Sequence, residues 1–140
     1  MKKITLLTTK MWTDITSQCQ EYVQGKADGY LHIMSQHTTA GVLIFEKELL
    51  LLADVDTFFT RIAPNNGSYN HDRIHLREVP PTERINGAAH LRSLFVPTSQ
   101  LIPFRNGKLC LGQWQSILIV ELDGERERTF LLSTFAMDKE

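Results

Sequence analysis

The sequence predicts an α+β fold, with mixed or antiparallel β-sheets carrying two or three helices in a single domain of residues 1–140. Segments of period-two hydrophobicity alternate with segments of helical periodicity, and no repeat or linker divides the chain. Two strong hairpin turns, Asn106-Gly107 and Asp123-Gly124, separate β-type segments in the last part of the sequence. The hydrophobic content of 42% is sufficient for one ordinary buried core.

The first part of the chain predicts two paired strands, a short helix and two further strands. "KITLLTT" opens the fold as a strand, and "MWTDIT" is its predicted partner. Ser17 and Gln20 have the spacing of a capping box, which begins a helix that Gly25 closes. "DGYLHIMSQ" and "GVLIFE" then form strands on either side of the bend from His37 to Gly41.

The second part predicts a main helix, a long loop and a run of strands. From Glu48 to Ile62, apolar residues recur on one helical face, which predicts a helix that covers a sheet. An irregular connection runs from Pro64 to Asn86, and long loops of this kind inside a compact domain tend to be functional. A short helix, "GAAHLRSLF", follows it. The segments "SQLIPF", "LCLGQWQSILIVEL" and "RERTFLLSTF" predict an antiparallel meander, in which the strand from Ile117 to Leu122 is buried on both faces.

Composition and charge exclude several classes of partner. The chain has 15 basic and 16 acidic residues and no long basic run, so it predicts no nucleic-acid groove and no membrane partner. Cys19 and Cys110 form no C-x-x-C pair, which favours reduced thiols and a cytoplasmic location. The opening "MKKITLLTTKMW" has too short an apolar run for a signal peptide, and no segment is long enough to span a bilayer.

Three of the five histidines, His37, His71 and His90, lie at the edges of predicted elements. Their spacings of 34 and 19 residues match no local zinc-finger pattern, so spacing alone does not predict that they converge. Three neutral imidazoles and a water would suit a catalytic Zn²⁺ or a similar transition metal. The alternative is three separate surface histidines, each with its own hydrogen bonds. His32 lies within a strand and is interpreted as an ordinary strand residue.

Charged residues outside the histidine set have a functional and an ordinary interpretation. Glu46 ends a strand and Asp54 lies in the main helix, so both side chains are expected to reach one cleft, unless each is simply a solvated charge. Arg92 has the guanidinium that suits bidentate contact with a phosphate. Arg126 and Arg128 alternate with glutamates, a pattern typical of cross-strand ion pairs on a sheet face.

Motifs spread along nearly the whole chain give the sequence a resemblance to a known family. They are "QHTTAG" at 36–41, Glu46, "DVDTFF" at 54–59, "PNNGSYNHD" at 64–72, "AHL" at 89–91, "IP" at 102–103, "GKL" at 107–109, "LGQWQSI" at 111–117 and "ELDGERER" at 121–128. In this combination and order, they resemble the YjbQ family, described as secondary thiamine-phosphate synthases and as small trimeric proteins.

The resemblance implies a homotrimer, with sites near the subunit contacts. It also implies that His37, His71 and His90 converge and bind a metal or an anion. The activity that it implies is the condensation of hydroxymethylpyrimidine diphosphate with a thiazole phosphate, which gives thiamine phosphate and pyrophosphate. The cofactor would be a divalent metal, zinc or magnesium. A histidine cluster favours Zn²⁺, because Mg²⁺ prefers oxygen ligands.

The resemblance also implies roles for single residues. Glu46, Asp54 and His71 are expected to act as acid, base or orienting groups in catalysis. The phosphorylated small-molecule substrate is expected to contact Arg92 together with Thr38 of "QHTTAG" and Asn66 of "PNNG".

The chain departs from the family pattern at several positions. Phe45 and Lys47 stand where relatives commonly carry asparagines, Arg92 stands where they often have lysine, and Pro97 stands where they often have glycine. These changes leave the three histidines intact and the substrate open. Two other classes of function therefore remain. One is a metal-dependent hydrolase of a small ester or phosphate, and the other is a non-catalytic trimer that binds a metal or a metabolite.

Overall fold

A computed structural model describes residues 1–137 and contains two β-sheets and three α-helices in that range. The strands are β1 (Lys2–Thr8), β2 (Trp12–Asp14), β3 (Gly29–Ser35), β4 (Ala40–Glu46), β5 (Ser99–Arg105), β6 (Lys108–Leu109), β7 (Gln115–Glu121) and β8 (Arg126–Ala136). The helices are α1 (Thr16–Val23), α2 (Leu49–Ile62) and α3 (Gly87–Ser93). None of the helices in the described range is long and apolar enough to cross a membrane.

The strands form two antiparallel sheets that pack face to face. One sheet has the order β1-β8-β3-β5-β6, and the other has the order β2-β7-β4. Apolar side chains from both sheets and from α1 fill the space between them, including Ile33, Val42, Ile119 and Phe130, each of which has no exposed surface. The prediction of one compact α+β domain is confirmed, and the sheets are antiparallel.

β7 lies at the centre of the smaller sheet and is buried on both faces. Ile117 and Ile119 point into the core between the sheets. Val120 points the other way and packs in a second apolar cluster with Phe59 of α2 and Ala89 of α3. The predictions of a doubly buried strand and of a main helix that covers a sheet are therefore confirmed.

The predicted order of strand pairing is wrong in two places. β1 pairs with β8 and β2 pairs with β7, so the first two strands lie in different sheets. The Asp123-Gly124 turn leads from β7 in one sheet to β8 in the other and closes no hairpin. Turn chemistry fixes a reversal of the chain, but burial of both faces of β7 decides which sheet each strand joins. The hairpin at Asn106-Gly107 is confirmed, and both residues have the positive φ that its tight turn requires, 47° and 70°.

The helix ends differ in part from the sequence patterns. The predicted capping box of α1 does not form, because the cap residue is Ile15 and makes no side-chain cap bond. Gln20 instead donates to the carbonyl of Gly107 and accepts the N–H of Leu109, which ties the helix to the β5–β6 hairpin. Gly25 has the left-handed φ of 75° expected after a helix.

The main helix begins where its sequence predicted. The carboxylate of Glu48 accepts the backbone N–H groups of Leu50 and Leu51, so it caps α2. The predicted apolar face is only partly covered. Phe58 and Ile62 remain 44% and 40% exposed.

The connection from residue 64 to residue 86 is irregular, as predicted, apart from two short 3-10 helices, Asn70–Asp72 and Ile74–Leu76. Its middle is held against the start of α3. Asp72 Oδ1 accepts the N–H of Gly87 at 2.8 Å. A Cβ atom on Gly87 would lie 2.6 Å from the Cβ of Tyr69, so only glycine allows this approach. The contact fixes the position of His71 relative to α3.

Candidate functional site

His37, His71 and His90 line one cavity of about 370 Å³. His37 comes from the connection between β3 and β4, His71 from the first 3-10 helix, and His90 from the middle of α3. The remaining lining residues are mainly polar or charged. They are Gln36, Thr38, Thr39, Arg77, Glu83, Asn86, Arg126 and Arg128.

The ring of His37 is held in one orientation by the backbone. Its Nε2 accepts the N–H of Thr129 on β8 at 2.7 Å, so this nitrogen carries no proton and the neutral ring has its proton on Nδ1. Burial lowers the pKa of His37, and the nearby Arg128 lowers it further. His37 lines the cavity, and Nδ1 is the ring nitrogen that remains as its N–H donor.

His71 and His90 form a close pair. Their ring centroids lie 4.4 Å apart with an angle of 61° between the planes. Burial lowers the pKa of His90, and the charge that His71 would carry lowers it further. Because two imidazolium rings at this separation repel each other, a positive charge on one ring disfavours a positive charge on the other.

Arg128 is a buried cation that faces the cavity. Only 2% of the residue is exposed, and its Nε and Nη2 atoms donate to the carboxylate of Glu121 at 2.6 and 2.5 Å. Nη2 also donates to Thr39 Oγ1 at 2.9 Å. No hydrogen bond from Nη1 is found within residues 1–137. Every fully buried side-chain nitrogen in that range has a hydrogen-bond partner, so Nη1 is not fully buried. Nη1 therefore has access to open space, and the cavity that Arg128 lines provides it.

The carboxylate of Glu121 is held from several sides. Besides Arg128, it accepts Thr8 Oγ1 at 2.6 Å and the N–H of Asp123 at 2.8 Å. Burial alone would raise the pKa of Glu121, but these hydrogen bonds bring it below its usual value. Because Glu121 lies on β7 and Arg128 on β8, the pair joins the two sheets. The expected cross-strand surface pattern is therefore wrong for Arg128.

Two further arginines and one glutamate complete the charged lining. Arg77 Nη1 donates to the backbone carbonyl of His71 at 3.0 Å, and Arg126 Nε lies 3.5 Å from Asp123 Oδ2. Among the described lining residues, Glu83 is the one carboxylate. The lining has three arginines against one glutamate, but Arg128 is paired with Glu121 and Arg126 lies near Asp123. The cavity therefore favours an anion through its guanidinium and imidazole N–H donors rather than through a large net charge. Sequence reasoning assigned Arg77, Glu83 and Arg126 no site role, because they lie in an irregular loop and in an alternating charge pattern.

Several residues expected at the site lie elsewhere. Glu46 and Asp54 are exposed and do not line the histidine cavity. Glu46 is at the far end of β4, about 20 Å along the strand from Ala40, since a strand rises about 3.3 Å per residue. Asn66 is exposed in the loop after α2. Thr38 does line the cavity.

Arg92 does not line the histidine cavity either. It is 5% exposed, and its Nε and Nη2 donate to the carbonyl of Ala63 at 2.9 and 2.7 Å. Nη2 also donates to Asn65 Oδ1. The guanidinium thus binds the end of α2 and the start of the following loop.

The residues do not fit the three-histidine metal site that the sequence suggested. Across residues 1–137, no group of three histidine, cysteine, aspartate or glutamate side chains lies close enough to hold a metal ion. The Nε2 lone pair of His37 is already engaged by the N–H of Thr129. With three arginines in the same lining, the donor set favours a negatively charged guest.

These features define a class of small two-sheet α+β proteins with a cavity lined by histidines and arginines. The chain belongs to the YjbQ-like UPF0047 family, whose profile, described as "UPF0047 protein YjbQ-like", matches residues 2–137. A UPF0047 protein of Archaeoglobus fulgidus is 35% identical over 85% of this chain and 86% of its own length. The UPF0047 protein YugU of Bacillus subtilis is 34% identical over 92% of this chain and 94% of its own.

Solved structures show the same fold. The hypothetical protein APE1520 from Aeropyrum pernix K1 superposes with a TM-score of 0.82 at 30% identity, over 98% of this chain and all of the other. A YbjQ-like protein of unknown function, SSO2532 from Sulfolobus solfataricus P2, gives a TM-score of 0.83 at 30% identity, over 97% of this chain and 96% of the other.

Proposed function

We propose that the histidine cavity binds a phosphorylated small molecule and that the protein is a thiamine-phosphate synthase-like transferase. The observation that carries the anion-binding part is the buried guanidinium of Arg128, whose Nη1 faces a cavity lined by three histidines and two more arginines. Phosphate oxygens are matched to guanidinium and imidazole N–H donors. The proposed synthesis of thiamine phosphate rests on the resemblance of the sequence motifs to the YjbQ family.

The proposed reaction forms one bond and breaks one. The thiazole nitrogen attacks the methylene carbon of hydroxymethylpyrimidine diphosphate. The carbon–oxygen bond to the diphosphate breaks, and pyrophosphate leaves with the electron pair. Negative charge builds on the leaving oxygens, so positively charged donors held in place before the reaction lower the barrier. Arg77, Arg126 and Arg128 supply these charges.

The histidines have separate roles in this proposal. His37 donates its Nδ1–H to a phosphate oxygen, because Thr129 fixes the other nitrogen as an acceptor. The neighbouring rings of His71 and His90 donate N–H groups to the departing pyrophosphate. Glu83 is the nearby carboxylate that would orient one of these rings.

The protein is further proposed to be a homotrimer, as the resemblance implies. An apolar surface on the larger sheet supports association. In the strand register, Met34, Leu101 and Phe135 lie on the face away from the core, and 44%, 57% and 54% of their surface is exposed. Sedimentation velocity of the purified chain tests this. A monomer at micromolar concentration would contradict it.

Calorimetric titration with inorganic phosphate and with pyrophosphate tests the binding proposal. The unmodified chain should bind both, and His37→Ala, His71→Ala and His90→Ala should each bind about tenfold more weakly while remaining folded. His75→Ala is the matched control, because His75 is exposed on the second 3-10 helix and does not line the histidine cavity. Full affinity in all three site variants would exclude this cavity.

A second measurement tests the reaction and the metal together. Thiamine phosphate is quantified after incubation with the two substrates, with and without a chelator, and metal content is measured by elemental analysis. The proposal expects product in both conditions. Product that disappears with chelator, together with bound zinc, would favour metal chemistry. Tight phosphate binding without any product would favour a non-catalytic binding protein.

A further inference from the structure

A second cavity, of about 300 Å³, lies next to the histidine cavity. Asn86, the residue before α3, lines both. Two consecutive loop residues also face different cavities: His71 lines the histidine cavity and Asp72 lines the second cavity. Arg84, Arg92 and Asp123 are the other charged residues of the second cavity.

Arg92 presents an unused donor to this second cavity. Its Nε and Nη2 are bonded to Ala63 and Asn65, and no hydrogen bond from Nη1 is found in the described part of the chain. In that part, every fully buried side-chain nitrogen has a partner, so Nη1 must reach open space although 95% of the residue is covered. The cavity that Arg92 lines supplies that space.

An acceptor lies in the same lining. Asp72 uses Oδ1 to accept the N–H of Gly87, and no hydrogen bond to its Oδ2 is found among residues 1–137. Asp123 accepts Asn86 Nδ2 at 2.9 Å and lies near Arg84 and Arg126 at 3.8 and 3.5 Å, so its charge is largely balanced. The cavity therefore offers a guanidinium donor and a carboxylate acceptor.

The charge of the two linings separates the groups that they would bind. The histidine cavity has three arginines against one glutamate, whereas the second has two arginines against two aspartates. Although Arg126 and Arg128 have carboxylate partners of their own, a phosphate meets guanidinium and imidazole donors and a single carboxylate in the first lining. In the second lining it faces two carboxylates. An uncharged group with hydrogen-bond acceptors and donors finds partners for both in the second cavity. Its own polar groups and those of the lining are then not left unpaired, which would cost free energy.

We infer that the second cavity binds the uncharged, hydrogen-bonding head of the same molecule whose phosphate occupies the histidine cavity. The substrate class is a phosphate ester of a polar heterocycle, with a ring acceptor for Arg92 and an amino donor for Asp72. This inference rests on the proposed function, since it needs the phosphate in the histidine cavity. The sequence suggested Arg92 as a phosphate ligand. In this inference Arg92 instead recognises the head group.

Three probes test the inference on the unmodified chain by calorimetry. They are inorganic phosphate, hydroxymethylpyrimidine phosphate and benzyl phosphate, whose ring has a similar size but no hydrogen-bonding groups. The pyrimidine ester should bind about tenfold more tightly than the benzyl ester, the effect of one or two good polar contacts. Equal affinity of the two esters would overturn the inference and leave phosphate binding intact. If inorganic phosphate itself did not bind, the proposed function would fail instead.

Two variants locate the preference. Arg92→Lys removes the Nη1 donor, and Asp72→Asn keeps the acceptor for Gly87 while replacing the free acceptor by a donor. In each, the preference for the pyrimidine ester should fall to about twofold, while affinity for inorganic phosphate stays close to the unmodified value. Arg61→Lys, an exposed arginine on α2, is the matched control. If Arg92→Lys fails to fold by circular dichroism, Asp72→Asn and the comparison of esters decide. A tenfold preference that survives in every folded variant would overturn the assignment.

Discussion

The substitution Glu121→Gln tests whether the ion pair between the sheets stabilises the fold. The carboxylate of Glu121 accepts four hydrogen bonds, two from Arg128, one from Thr8 and one from the N–H of Asp123. Glutamine has the same shape but only one acceptor oxygen, so about two of these bonds are lost. Each bond to a charged group contributes about 1.5 kcal/mol, so the free energy of unfolding at pH 7 should fall by about 3 kcal/mol. The side chains are 2% exposed, so solvent screens the pair little.

The same substitution should change how stability depends on pH. The folded-state pKa of Glu121 is lowered, because the hydrogen bonds from Arg128 and Thr8 outweigh the effect of burial, which alone would raise it. A lowered carboxylate pKa contributes stability that is present above the unfolded value of 4.5 and is lost as the pH falls through the folded value. The difference between the unmodified chain and the variant should therefore shrink in acid.

Urea unfolding followed by tryptophan fluorescence, at pH 7 and at several acid pH values, measures both effects. Glu127→Gln is the matched control, because Glu127 lies on the same strand as Arg128 and is exposed. The control should lose little stability. A loss below about 1 kcal/mol for Glu121→Gln, or a difference that does not change with pH, would refute the assignment of the pair as a buried, charge-assisted contact.

Further predictions concern the histidine pair, its backbone support and the outer sheet face. Removing the ring of His71 should raise the pKa of His90, because His90 then loses a neighbour whose charge opposes its own; NMR titration of the His90 ring signals measures this, and an unchanged pKa would exclude coupling. Gly87→Ala should lower the free energy of unfolding by about 2 kcal/mol and weaken phosphate binding, because its Cβ collides with the loop, whereas Gly112→Ala should have little effect in the same assays. Leu101→Lys should shift the sedimentation coefficient toward that of a monomer, and an unchanged trimer would exclude this face.

The fold was predictable where periodicity and burial agree. The main helix from residue 49 to residue 62 and the doubly buried β7 follow from apolar residues at regular spacing. Strand pairing was not predictable in the same way. The turn at Asp123-Gly124 has the composition of a hairpin, but it connects two sheets. Local turn chemistry does not specify which strands become neighbours, since that depends on covering both faces of β7.

The histidine cavity was predictable in its composition but not in its geometry. The motifs identify His37, His71 and His90, and the structure brings all three to one cavity. Their orientation depends on backbone contacts that side-chain patterns do not encode. His37 is turned by an N–H group of β8, and His71 is held against α3 through the close approach at Gly87.

Arg128, by contrast, carried a signal in the sequence. Side chains of a strand alternate between its faces, so Phe130 and Leu132, which point into the core, place Arg128 on the same inner face. A guanidinium in that position needs a buried carboxylate, and Glu121, at the end of the doubly buried strand, is suited to provide it. The charge of the cavity thus follows from strand alternation, while the arrangement of its rings follows from backbone contacts. Substitutions at Glu121 and at Gly87 should therefore have different effects on the cavity. Glu121→Gln should change phosphate affinity through Arg128 without changing the coupling between the rings of His71 and His90. Gly87→Ala should abolish that coupling while the guanidinium of Arg128 stays in place.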